Sequence, residues 1–89
     1  MNNQSNSQSP TTTEAVLLKI WQEMFGFDDI TVNTDFFDIG GNSLNAIKFL
    51  ARVDNAFGEG LLLPDTLFED GRLSSLAAAI DHLKVTSNG

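Results

Sequence analysis

The segment DFFDIGGNSL, Asp35 to Leu44, holds the residues of this chain best arranged for chemistry. Two apolar anchors, Phe36 and Phe37, precede the pair Gly40 and Gly41, and Ser43 follows where an amphipathic pattern begins. Both glycines permit positive φ and leave no side chain to obstruct an approaching macromolecule. Ser43 is thereby presented rather than buried. Serine is also a favoured helix N-cap, and spacing alone leaves that role open beside a reactive one. The two are compatible, because a helix N-terminus offers unpaired amides and partial positive charge that would stabilise a phosphodiester on the hydroxyl.

No other constellation of residues competes with this segment. The chain has one His and no Cys, and His82 lies on the polar side of the last helical pattern. A nucleophile without a positioned base does not make an enzyme, and one His supplies neither a triad nor a metal-ligand set. The pairs Asp28-Asp29 and Glu69-Asp70 read as solvated loop charges. The expectation is a non-catalytic protein that holds no metal.

The elements that must position Ser43 can be read from periodicity. Thr11 and Glu14 have the spacing of a capping box, and Leu17, Ile20, Trp21 and Met24 then fall on one arc at 100° per residue. Trp21 is expected in the core. From Gly26 to Asn42 the periodicity stops, and a long connection carries Phe27, Ile30, Val32, Phe36, Phe37 and Ile39. A loop of that length is usually functional, here pinned by its own apolar side chains. A second helix is predicted from Ser43 to Phe57, stopped by Gly58, with Ala46, Phe49, Leu50, Val53 and Phe57 facing inward. Pro64 suits the first position of a short helix through Thr66, Leu67 and Phe68. The last helix is expected from Ser74 or Ser75, burying Leu76, Ala79, Ile80 and Leu83. Residues 1–10, rich in Asn, Gln and Ser, are expected to form a disordered leader, 11–84 one folded domain, and 85–89 a flexible tail.

Composition narrows the function classes. The chain has 89 residues and 42% hydrophobic content, enough for one small core and too little for two. Twelve acidic against five basic residues give a net charge of −7, which disfavours nucleic acid and anionic membrane surfaces and suits basic protein partners. The amino terminus has no secretory pattern, no apolar run approaches a membrane span, and the lack of Cys fits a reducing cytoplasm.

The same segment resembles the attachment motif of peptidyl carrier proteins, the thiolation domains of nonribosomal peptide synthetases. The resemblance rests on Phe36, Phe37, Gly40, Gly41, Ser43 and Leu44, and extends from about Thr13 to Lys84, including Leu63-Pro64 and Leu67-Phe68. It implies an all-α, acyl-carrier-like bundle of three long helices and one short helix, with a long loop after the first. It also implies a 4'-phosphopantetheine arm, moved from coenzyme A to Ser43 by a phosphopantetheinyl transferase, that holds aminoacyl, peptidyl or acyl groups as thioesters. Implied partners are an adenylation or other loading enzyme, then condensation, tailoring or thioesterase enzymes. The expected docking surface is Asn42, Leu44, Ile47, Lys48 and Ala51 on the second helix, with Thr66 and Leu67 on the third. Asn42 departs from the Asp or His more usual before the serine, and an acyl or aryl carrier of polyketide or siderophore assembly is the alternative within the family. An unmodified acidic helical adaptor or inhibitor is the alternative outside it. A freestanding, monomeric carrier working in trans is expected.

Overall fold

The computed structural model describes residues 10–26 and 28–88, with side chains described as far as 83. The leader assigned to 1–10 therefore falls, apart from Pro10, outside the described residues, as does Phe27. Four helices follow in order: α1 (Thr12–Phe25), α2 (Ser43–Phe57), α3 (Pro64–Glu69) and α4 (Leu73–Asn88). The described residues form no strand, and the all-helical bundle of three long helices and one short one is what the sequence predicts.

Local chemistry sets most helix ends. The Thr11 hydroxyl accepts from the Glu14 amide at 3.0 Å, and the Glu14 carboxylate accepts from the Thr11 amide at 2.8 Å, completing the capping box. Gly26, at φ 79°, closes α1 in the left-handed conformation, donating to the Gln22 carbonyl. Pro64 opens α3 without any side-chain cap. Leu17 and Trp21 of α1, Phe49 and Val53 of α2, Leu67 of α3 and Leu73, Leu76 and Ile80 of α4 are all fully buried. Thr13, also buried, donates its hydroxyl to the Asp81 carboxylate and ties α1 to α4.

The connection between α1 and α2 is held more firmly than its side chains alone suggest. Asp35 forms an isolated antiparallel bridge with Arg72. The Phe36 amide donates to the Gly71 carbonyl at 2.8 Å, Leu73 to Thr34 at 3.0 Å and Ser74 to Val32 at 2.9 Å. These bonds give the first amides of α4 the partners that every helix start lacks. They also start α4 at Leu73, ahead of the expected Ser74 or Ser75. At its other end the α4 backbone runs on through Val85–Asn88, which the sequence reading assigns to the tail.

Asp70 locks this junction. Its carboxylate accepts from the Arg72 side chain at 3.0 and 3.2 Å and from the Ser75 hydroxyl at 2.8 Å, so it is a structural clip and not the free loop charge expected from sequence. The hydrogen bonds from Arg72 and then Ser75 hold the Asp70 carboxyl well below the usual carboxylate range. A depressed folded-state pKa adds stability above the unfolded value and loses it as pH falls through the folded value. Wild type should therefore exceed Asp70→Asn in urea stability by a constant margin from neutral pH down to about 4, the ordinary Asp value, and the margin should shrink below it. A margin independent of pH would show that the clip does not depend on the charge.

Candidate functional site

Ser43 is the first residue of α2, and Asn42 is its N-cap. The Asn42 backbone is extended (φ −140°, ψ −173°), and its side-chain oxygen accepts from the Asn45 amide at 2.9 Å. This resolves the ambiguity over Ser43, since the capping role belongs to its neighbour. Ser43 is exposed, and its hydroxyl makes no hydrogen bond among the described residues. The amides of Ser43 and Leu44 likewise have no acceptor among the described residues, and the first turn of α2 carries no acidic residue. An anionic group esterified to Ser43 would meet open N–H donors and no like charge in that turn.

The approach to Ser43 is built on Phe36. Residues Phe36–Ile39 form a single 3₁₀ turn, capped by Asp35, whose carboxylate accepts from the Phe37 amide. Gly40 closes the turn at φ 103°, where a side chain would be strained. Gly41 differs from expectation: its φ is not positive, and its role is packing. A Cβ there would lie 2.4 Å from two Phe36 ring carbons and 2.6 Å from the Phe36 oxygen. The second glycine thus lets the chain cross the face of Phe36, rather than clearing a path for a visitor.

Of the residues expected to form the docking edge, Leu44 (60% exposed) and Ile47 (67%) stand in solvent, with Lys48 and Ala51 exposed on the same helix and Thr66 half-buried. Asn42 is exposed as well, but its side chain is committed to the cap. Leu67 is a correction. It is fully buried, because α3 has only one side against the core and Leu67 fills it. Phe68, 54% exposed, takes the outer position and stacks on Phe37 at 5.6 Å and 23°. Phe37 and Phe68 form an exposed apolar pair that sequence reasoning missed, and Leu63 is exposed as well; a helix of six residues is too short for periodicity to separate its faces. His82, Asp28 and Asp29 are exposed, and among the described residues no group of three or more His, Asp or Glu is placed to hold a metal ion. A groove of about 490 Å³ between α1 and α2, lined by Val16, Ile20, Glu23 and Arg52 among others, shares no residue with the Gly40–Ala46 segment.

Residues 15–80 match the phosphopantetheine attachment site family along most of the folded chain. The chain belongs to that family. It is a carrier domain, and the group it bears is 4'-phosphopantetheine. The carrier is 40% identical over 68 residues to bacitracin synthase 2 of Bacillus licheniformis, a match covering 76% of this chain and 3% of that protein. It is 41% identical over 70 residues to a phenolphthiocerol/phthiocerol polyketide synthase protein of Mycobacterium tuberculosis, covering 78% of this chain and 4% of that one. The carrier therefore spans only a few per cent of the length of these relatives. Its fold matches a chain in a solved structure of the phosphopantetheine transferase Sfp in complex with coenzyme A and a peptidyl carrier protein. That match has a TM-score of 0.77 and 27% identity, and covers 83% of this chain and 95% of that one.

The cap assignment gives two substitutions opposite outcomes. Asn42→Ala should lower stability in urea by about 1 kcal/mol, the usual value of a cap, whereas Ser43→Ala should change it by less than about 0.5 kcal/mol. A larger loss from Ser43→Ala than from Asn42→Ala would reverse the assignment.

Proposed function

We propose that Ser43 is the attachment point of the arm and that this chain is a substrate of a phosphopantetheinyl transferase, itself making and breaking no bonds in the cargo. The observation that carries the reading is the exposed, unpartnered Ser43 hydroxyl beside two open amides, inside the segment that matches the family. In the transfer, the Ser43 oxygen forms a new bond to the phosphorus on the pantetheine side of coenzyme A. The bond from that phosphorus to the departing adenosine bisphosphate breaks, and the serine proton passes to a base that the transferase provides with its magnesium. When attached, 4'-phosphopantetheine supplies a terminal thiol that carries cargo as a thioester. This chain's own contribution is to keep Ser43 outward and its surroundings free of competing acids, while tethering raises the effective concentration of cargo at each partner.

The cargo in this reading is aminoacyl or peptidyl, loaded by an adenylation enzyme and passed to condensation, tailoring or thioesterase enzymes. The similarity to bacitracin synthase 2 supports it, and the similarity to the polyketide synthase protein supports an acyl cargo as the second reading. A monomeric carrier in the cytoplasm completes the proposal, supported by the cysteine-free sequence. Partners would cover the apolar edge formed by Leu44, Ile47 and Ala51, with Lys48 at its border. An interface centred on one or two such anchors is small and transient, as handing on cargo requires.

Incubated with coenzyme A and a broad-specificity transferase, the wild-type protein should gain one arm by intact mass, and Ser43→Ala none while keeping its helical circular dichroism. The armed protein should then accept an amino acid from an adenylation enzyme. Loading with malonyl in its place selects the second reading, and modification of Ser43→Ala overturns the site. Leu44→Asp should retain helicity and load markedly more slowly; unchanged loading removes Leu44 from the docking edge.

A further inference from the structure

Two consecutive glycines directly before a reactive residue pose a physical problem. Gly40 and Gly41 give the chain more backbone freedom than any other pair, yet a partner must find the Ser43 hydroxyl in one place. Gly41 is fixed on its amide side, where it donates to the Phe36 carbonyl at 3.0 Å, and by the ring beneath it. Gly40 has no such packing, since nothing lies within 4 Å of where its Cβ would be. Its amide caps the 3₁₀ turn by donating to the Phe36 carbonyl, and its own carbonyl is held by Asn45. The Asn45 side-chain amide donates to the Gly40 carbonyl at 3.2 Å, while the Asn45 backbone amide donates to the Asn42 side chain at 2.9 Å.

Both bonds run from Asn45 back across Ser43, to Gly40 and Asn42 before it, without using its hydroxyl. We infer that Asn45 is a positioning residue for modification of Ser43, clasping the Gly40 carbonyl so that the Gly40–Ser43 turn is already ordered when the transferase arrives. The inference rests on the reading of Ser43 as the attachment point. Losing the clasp releases the Gly40 carbonyl, while the amides of Gly40 and Gly41 stay on Phe36, and lowers the fraction of carrier in the competent arrangement. An apparent affinity falls in proportion to that fraction, whereas turnover of carrier already seated on the enzyme does not. The signature is therefore a raised KM for the carrier with kcat unchanged.

Helix stability and the clasp can be separated by the choice of variant. Asn45→Ala removes the side-chain donor and leaves the backbone bond to Asn42. Asn45→Asp also removes the donor, because a carboxylate cannot give a hydrogen to the Gly40 carbonyl, but places a negative charge in the first turn, where it favours the helix. If Asn45 matters only for stability, Asn45→Asp should leave the Gly40–Ser43 turn as ordered as in wild type; the charge it adds beside Ser43 opposes an anionic group by itself, so the KM comparison rests on Asn45→Ala. If it positions the turn, Asn45→Ala should raise KM for the carrier in a transferase assay with coenzyme A, from a few-fold to about tenfold, the range that one net hydrogen bond supplies. Thermal midpoints should stay within a few degrees, and kcat should be unchanged. In the unmodified protein, backbone 15N order parameters at Gly40 and Gly41 should drop from rigid values near 0.85 toward about 0.6 in both variants. Wild-type KM in Asn45→Ala, or unchanged order parameters in both variants at Gly41, whose N–H shares a peptide plane with the Gly40 carbonyl, would overturn the inference. The order parameters test the clasp even if the arm attaches elsewhere, which separates failure of the clasp from failure of the Ser43 reading.

Discussion

The burial of Phe36 is the contact on which the rest of this structure depends. Its ring is fully buried, stacks on Phe49 at 5.5 Å, and meets Trp21 at 5.7 Å and Phe25 at 5.6 Å. Helices α1 and α2 are thus joined through a residue that belongs to neither. The same ring is the floor beneath Gly41, and the same residue's carbonyl accepts from the Gly41 amide. Truncating a buried Phe typically costs about 3–5 kcal/mol, a large share of the roughly 5–15 kcal/mol that holds a small domain folded. The ring that anchors the long connection to the core therefore also fixes where the turn before Ser43 lies.

Around that anchor the molecule separates rigidity from reactivity. The buried face of each helix is apolar but for Thr13 of α1, and the junction of the long connection with α4 is closed by backbone bonds and by Asp70. Ser43 carries none of this load, so it can be esterified without removing a contact on which the fold depends. The chain's net charge of −7 is kept out of the first turn of α2, leaving its open amides to an anionic group. In the proposed function Ser43 needs no acid, base or metal beside it, because what it would offer is a hydroxyl held outward by its neighbours.

Features governed by local chemistry were legible in the sequence. The Thr11–Glu14 box, the bounds of α2, Pro64 at the start of α3 and the inward arcs of α1 and α2 depend on residues a few positions apart. The segment proposed to carry the arm was legible as a glycine pair leading into a helix that starts at Ser43. Features that depend on distant partners were not. Asn and Ser are comparably good caps, and only the preceding 3₁₀ turn, set by Phe36, decides that Asn42 is the one used. The packing role of Gly41 requires knowing that Phe36 lies beneath it. The early start of α4 follows from the bonds of Leu73 to Thr34 and Ser74 to Val32, far apart in sequence. Leu67 and Phe68 could not be sorted because a six-residue helix shows no period, and the core chose between them.

In the proposed function this fold presents one hydroxyl, that of Ser43, for arm attachment. The most direct test is to locate the adduct by fragmentation mass spectrometry of the wild-type protein after treatment with coenzyme A and a transferase. A single adduct is expected, within the peptide containing Gly40 to Leu44 and on Ser43. An adduct on Ser74 or Ser75 at the start of α4, or on a serine of residues 1–9, would contradict it.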